Sequence, residues 1–218
     1  MDPRSSFDRR ILPDSHRELI LALQRRVPCT LGGGVALGGG WLGHRLSRDL
    51  DLFFSGREEL RAQLAFLPAL AREAGAEVRV VQDAGTFVRA AIRLGQTQLA
   101  LDLIVDAIPH IEPPVVIDGV AVESLVDLRA AKLTCLLSRS EPRDLVDVLF
   151  LDRAGHVPEA DLVFALRKDA GIDPAVLAWL LGEFPVRPLP DMLLPLTVDE
   201  LASYRDELRE RLRRLAVP

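Results

Sequence analysis

The chain has 218 residues, 49% of them apolar and 27% charged, which excludes a wholly disordered chain and leaves enough apolar matter for a real core. Lys plus Arg number 27 and Asp plus Glu 32, a formal net charge of −5; non-specific DNA binding is driven by excess cations, so that function is disfavoured, though a local basic groove is not. The two cysteines, Cys29 and Cys135, form no CxxC pair and point to a reduced, cytoplasmic setting; the polar N-terminus carries no signal segment, and no apolar run reaches the roughly 20 residues of a membrane helix.

Ser15 and Glu18 read as a capping box ahead of Leu19, Ile20, Leu23 and Val27 at helical spacing, and Pro28 ends that helix. Cys29 to Leu31 reads as a short strand entering Gly32-Gly33-Gly34. Val35-Ala36-Leu37 starts a second helix, weakened by Gly38, Gly39 and Gly40. Asp49 to Phe54 is a strand and Arg57 to Ala74 a helix ending at Gly75. Glu77–Val81, Phe87–Leu94 and Gln98–Val105 are strands separated by turn signals at Asp83-Ala84-Gly85 and Gly95. Pro109 to Gly119 is a loop containing a small strand at Val115–Ile117. From about residue 123 every segment reads as helix: 124–138, 142–153, 158–170, 174–183 and 198–215. Asp173-Pro174 and the Thr197/Glu200 pair supply caps, and four prolines between Pro185 and Pro195 mark an extended linker. The expected fold class is α+β, a mixed-sheet half over residues 1–122 followed by a C-terminal helical bundle over 123–218.

Asp49 and Asp51 sit two apart on a strand, so both carboxylates project from one face. Two adjacent carboxylates repel, and a bound divalent cation relieves that repulsion; a cap or a salt bridge to Arg45 or Arg48 would do so as well. Asp102 lies within the apolar run Ala100-Leu101-Asp102-Leu103-Ile104-Val105, where a lone charge is expensive to bury. A third metal ligand on a neighbouring strand explains it. Upstream, the Gly33-Gly34 turn lets backbone amides approach a phosphate, and Arg45 and Ser47 place a cation and a hydroxyl beside the carboxylates. Strand-borne carboxylates with a glycine turn, and no GxxxxGK[ST], suit metal-assisted nucleotidyl transfer.

Two blocks resemble one family. Leu31-Gly32-Gly33-Gly34-Val35-Ala36-Leu37 with Arg45-Leu46-Ser47-Arg48-Asp49-Leu50-Asp51-Leu52 is similar to the GG…ALxxxxxxxRxSxDLD signature of the AbiEii/AbiGii toxins. Asp127-Leu128-Arg129-Ala130-Ala131-Lys132-Leu133, then Arg139 and Arg143-Asp144-Leu145-Val146-Asp147-Val148, is similar to that family's second conserved region. The resemblance spans residues 30–155 and implies a polymerase-β type nucleotidyltransferase fold for the first half. It further implies that Asp49, Asp51 and Asp102 bind Mg²⁺ or Mn²⁺. Lys132, Arg143, Asp144 and Asp147 would complete the nucleotide pocket with Gly33, Gly34, Arg45 and Ser47. On its own chemistry, Lys132 lies mid-helix among apolar residues and must snorkel or find an anion, and Asp144 at a helix start could simply favour the dipole.

Other features read as ordinary. Gly38-Gly39-Gly40-Trp41-Leu42-Gly43 spells GxGxxG but opens no βαβ unit. His44 reads as a surface histidine, Trp41 and Trp179 as packing groups, and Arg205 to Arg214 as a solvated helix face. The expected function is metal-dependent transfer of a nucleoside monophosphate from an NTP to an acceptor, a tRNA 3′ end or a protein. The chain would act as the toxin of a pair with a cognate antitoxin, with no membrane partner. The rival reading, favoured by Gly32 and the triple glycine, is an inactive nucleotidyltransferase-fold module that binds protein partners.

Overall fold

The computed structural model describes residues 1–47, 49–106 and 108–216. Arg48, one of the two expected salt-bridge partners for the carboxylates, lies outside them. Two compact units are present, Asp2–Ser124 and a second from Leu125 onward. Among the described residues no helix is long and apolar enough to cross a membrane.

The first unit runs α1 (Asp14–Arg26), β1 (Thr30–Gly32), α2 (Gly33–Leu37), a π-helical turn (Gly38–Leu42), β2 (Asp49–Phe54), α3 (Arg57–Glu73), β3 (Ala76–Asp83), β4 (Phe87–Leu94), β5 (Thr97–Val105), β6 (Val115–Ile117) and β7 (Val120–Val122). All seven strands form one mixed sheet in the order β3-β4-β5-β2-β1-β7-β6. β2 runs parallel to β5 and antiparallel to β1; β1 runs parallel to β7; β3, β4 and β5 form an antiparallel meander. Alternation sets the two faces. Leu50, Leu52 and Phe54 of β2, Val88, Ala90 and Ile92 of β4, and Leu99, Leu101 and Leu103 of β5 are buried on one face. Helices α1 and α3 pack together and supply Leu19, Ile20, Leu23, Leu60, Leu67 and Leu70 to the core. The intervening β2 residues Asp49, Asp51 and Phe53 are only half-buried.

Local sequence explains most elements, with informative departures. The capping box expected at Ser15/Glu18 does not form: the N-cap is Pro13, two residues earlier, with no side-chain cap. The α-helical pattern of α2 stops after five residues, where Gly38 to Gly40 begin. They widen the helix into a π-turn against which the N-terminal segment packs; a Cβ on Gly39 would lie 3.0 Å from the Phe7 ring and one on Gly40 2.8 Å from Ile117 Cδ1. Strand β3 extends to Asp83 past a register shift between Val80 and Gln82. Strand β7 lies beyond the expected loop, and its two-residue turn from β6 holds Asp118 and Gly119 at positive φ.

The second unit contains α4 (Leu125–Ser138), α5 (Pro142–Arg153), α6 (Pro158–Lys168), α7 (Pro174–Leu181) and α8 (Val198–Ala216). Helix α4 packs on α5, α6 and α7, and α8 packs on α5 and α7. The caps read from sequence are present. Asp173 Oδ1 accepts from the Ala175 and Val176 amides at 2.7 and 3.1 Å. Thr197 and Glu200 satisfy each other's backbone N–H at 2.7 and 3.2 Å. Two expectations are corrected. His44 is fully buried rather than on the surface, and Trp179 is 75% exposed rather than packed. The basic run of α8 is only partly a solvated face: Arg211 binds both Asp152 and Glu159, at 2.6 Å for Asp152.

Candidate active site

Strand register builds the site. Residues opposite one another in a sheet point to the same face. Asp51 of β2 stands opposite Asp102 of β5, and Asp102 stands opposite Arg89 of β4. On the other side of β2, Gly32 of β1 stands opposite Asp51. One row therefore crosses four strands as Gly32, Asp51, Asp102 and Arg89, with Asp49 two residues away on the same face. The three expected metal ligands share this face. Asp102 is 4% exposed, and a carboxylate buried in an apolar strand requires a partner.

That partner is Arg89, which the sequence reading missed. Its Nε and Nη2 donate to Asp102 Oδ1 and Oδ2 at 2.8 and 2.6 Å, a bidentate pair. The same guanidinium lies 5.7 Å from the centre of the Phe87 ring. The hydrogen bonds that Arg89 donates to Asp102 raise the Arg89 pKa; burial opposes this, and the charges of Asp102, Asp49 and Asp51 add to the rise. A signal for Arg89 existed. Folding the chain back at the Gly95 turn sets Arg89 opposite Asp102 in the resulting ladder.

The glycine turn abuts the carboxylates. Gly33 has φ +65°, and a Cβ there would overlap the Asp51 carboxylate. A Cβ on Gly34 would lie 2.7 Å from Ser47 Oγ and 2.9 Å from Arg45 Nη2. Gly33, Gly34, Arg45, Ser47 and Asp51 thus occupy one small volume. Arg45 is buried and its Nη1 donates to the Leu46 carbonyl at 2.9 Å. Gly32 has a steric basis too, since a side chain there would overlap Glu123 and the Phe53 ring.

In the helical unit, Lys132 does not snorkel. It is 3% exposed, and its Nζ lies 2.8 Å from Asp147 Oδ2 and 3.7 Å from Asp144 Oδ1. Asp144 also accepts from Arg139 Nε and Nη2 at 2.9 and 3.0 Å. Its position in the first turn of α5 therefore serves more than the helix dipole. Arg143 pairs with Glu141 at 2.6 Å. The other lysine, Lys168, is likewise buried against Asp127, at 3.0 Å.

Asp49 and Asp51 offer hard oxygen donors on alternate residues of one strand, beside a further carboxylate in register, and this donor set fits Mg²⁺ or Mn²⁺. Asp102 fits less simply, because both of its oxygens accept from Arg89.

Comparison with known proteins gives the family and the fold. A family model described as "Nucleotidyl transferase AbiEii toxin, Type IV TA system" matches residues 20–216. Among solved structures, JHP933 of Helicobacter pylori superposes with a TM-score of 0.58 at 21% identity, covering 94% of each chain. MenT4, a nucleotidyltransferase toxin of Mycobacterium tuberculosis, superposes with a TM-score of 0.53 at 17% identity, covering 92% of this chain and 85% of that one. No curated protein sequence matches.

Proposed function

Because the chain belongs to the AbiEii nucleotidyltransferase toxin family, and is a nucleotidyltransferase, we propose that it moves a nucleoside monophosphate from an NTP to an acceptor hydroxyl at the β2 carboxylates: the acceptor oxygen bonds to the α-phosphorus as the hydroxyl loses its proton, the α–β phosphoanhydride breaks, and pyrophosphate leaves. The carrying observation is the packing of the Gly33–Gly34 turn, Ser47 and Arg45 against Asp51, with Asp49 and Asp102 on the same face.

Asp49 and Asp51 would hold the divalent cation; Asp102, expected as a third ligand, lines the same face with both of its oxygens accepting from Arg89. When bound, such an ion lowers the pKa of an attacking hydroxyl and neutralises charge on the transferring phosphate. The chain's own groups have separate tasks. Gly33 and Gly34 let backbone amides approach the triphosphate, since neither position admits a side chain there without displacing Asp51, Ser47 or Arg45. The Ser47 hydroxyl donates to a phosphate oxygen, and the Arg45 guanidinium fixes the turn that presents it. In the helical unit, Lys132, Arg143, Asp144 and Asp147 are the residues the family motif marks for the nucleotide. The acceptor is an RNA 3′ end or a protein side chain, and a cognate antitoxin is the protein partner that fits a toxin of this family.

The test is incubation with each of the four α-labelled NTPs, Mg²⁺, total RNA and protein, followed by separation of labelled products. Label should pass to one acceptor class. Asp49→Asn and Asp51→Asn should each lower transfer at least about a hundredfold, the scale of losing one fixed electrostatic contributor. Removing one of two repelling carboxylates should leave thermal unfolding unchanged or shifted upward. Absence of transfer from every NTP, or full transfer by both variants, would overturn the proposal.

A further inference from the structure

Arg89 has no role in the reaction described so far, and its surroundings are those of a binding residue. It lies two strands from Asp51, roughly 10 Å at the usual inter-strand spacing, on the side away from β1 and the glycine turn. The triphosphate side of the carboxylates is therefore β1, and Arg89 borders the opposite side. A cavity of about 300 Å³ opens there, bounded by Asp49, Val81 and Arg89 and floored by Ala91 and Ala100. That volume is at the lower end of the range for ligand pockets. The floor is shallow because Ala91 and Ala100 face each other across β4 and β5, in the row that continues from Asp49.

The guanidinium is held for use. Asp102 takes Nε and one N–H of Nη2, and the Phe87 ring supports its face, while the side chain stays 45% exposed. The two N–H groups of Nη1 lie outside the pair with Asp102. A cation fixed by a buried carboxylate, open on its remaining edge and beside a cavity that reaches Asp49, is arranged to receive an anion. The geometry points to Arg89 as the residue that binds a phosphodiester of the acceptor strand, with Asp102 positioning it. This rests on Asp49 and Asp51 being the reacting centre. It makes the acceptor a nucleic-acid strand whose backbone charge is read on the β4 side, and makes Asp102 a positioning residue rather than a metal ligand.

The experiment measures binding of a labelled oligoribonucleotide to the full chain at fixed salt, beside binding of Mg²⁺–NTP and NTP consumption. Arg89→Gln should weaken oligoribonucleotide binding by roughly tenfold, the scale of one charge-assisted hydrogen-bonded contact, and change NTP binding by less than about twofold. Replacing single phosphodiesters with neutral methylphosphonates should produce a similar loss at one position in the natural chain. The same replacement should produce no further loss in Arg89→Gln, a non-additivity that a merely structural salt bridge would not give. Arg89→Lys should recover part of the loss, and Asp102→Asn should reproduce it. Tight binding of fully neutral strands, weakened NTP binding in Arg89→Gln, or loss of Mg²⁺-dependent NTP binding in Asp102→Asn alone would each overturn the assignment. Failure of NTP consumption in the natural chain would strike the transfer reaction instead, while the binding measurements still decide the role of Arg89.

Discussion

Gly33 and Gly75 have nearly the same backbone, with φ of +65° and +69°, and opposite surroundings. Around Gly75 nothing lies within 4 Å of where a Cβ would stand; at Gly33 the Asp51 carboxylate already occupies that place. Gly75→Ala should therefore cost only the left-handed strain, about 1 kcal/mol, and leave transfer intact. Gly33→Ala adds the displacement of Asp51 and should abolish transfer. Thermal unfolding and label transfer on the two variants separate strain from steric damage to the site. The thiols make a second residue-scale case. Burial pushes the Cys29 thiol up to about 12, and burial also raises Cys135, partly offset by the Lys132 charge. Neither should react with a disulfide reagent at pH 8 until denaturant is added, because the thiolate is the reactive form. Stoichiometric modification of Cys29 in the native protein would contradict that.

At the scale of elements, α4 and α5 are joined by buried ion pairs, and this changes what a lysine variant reports. Lys132→Ala would leave Asp144 and Asp147 buried without the ammonium, a change that typically costs about 3–5 kcal/mol. Its effect on NTP use is interpretable only beside an unfolding curve, and Lys132→Arg, which keeps the charge, is the better probe. Between α4 and the loop that joins α5 to α6, Arg129 Nη1 lies 2.6 Å from His156 Nδ1. Burial first, and then the Arg129 charge, hold the His156 pKa below its ordinary 6.5. The folded state thus favours the neutral ring. Its contribution to stability is present above pH 6.5 and is lost as pH falls through the lowered value. Urea midpoints measured from pH 7.5 to 5 should fall for the natural chain and fall less for His156→Gln; parallel curves would show that the contact does not matter.

For the whole molecule, the sequence is most readable where local rules and periodicity agree. The carboxylate strand, the change from sheet to helix near residue 123, and the Asp173 and Thr197 caps depend on neighbours a few residues away. What escaped depends on contacts far along the chain. His44 looks hydrophilic in isolation, and Gly38 to Gly40 look like poor helix formers until Phe7, Ile11 and Ile117 are brought against them. Arg89 became visible only through strand pairing, and that pairing gives a solvent-facing turn an unexpected responsibility. Leu94 and Thr97 close the β4–β5 hairpin around Gly95 and Gln96, with Gly95 at φ +61° as a tight two-residue turn requires. Arg89 and Asp102 each lie five residues up their strand from that closure. The turn acts as the zero mark of a ruler. Lengthening it by one residue would slide one scale against the other, and a slip of one position turns side chains to the opposite face. An insertion after Gly95, remote from every carboxylate, should then uncouple Arg89 from Asp102 and depress transfer while the strand content seen by circular dichroism persists.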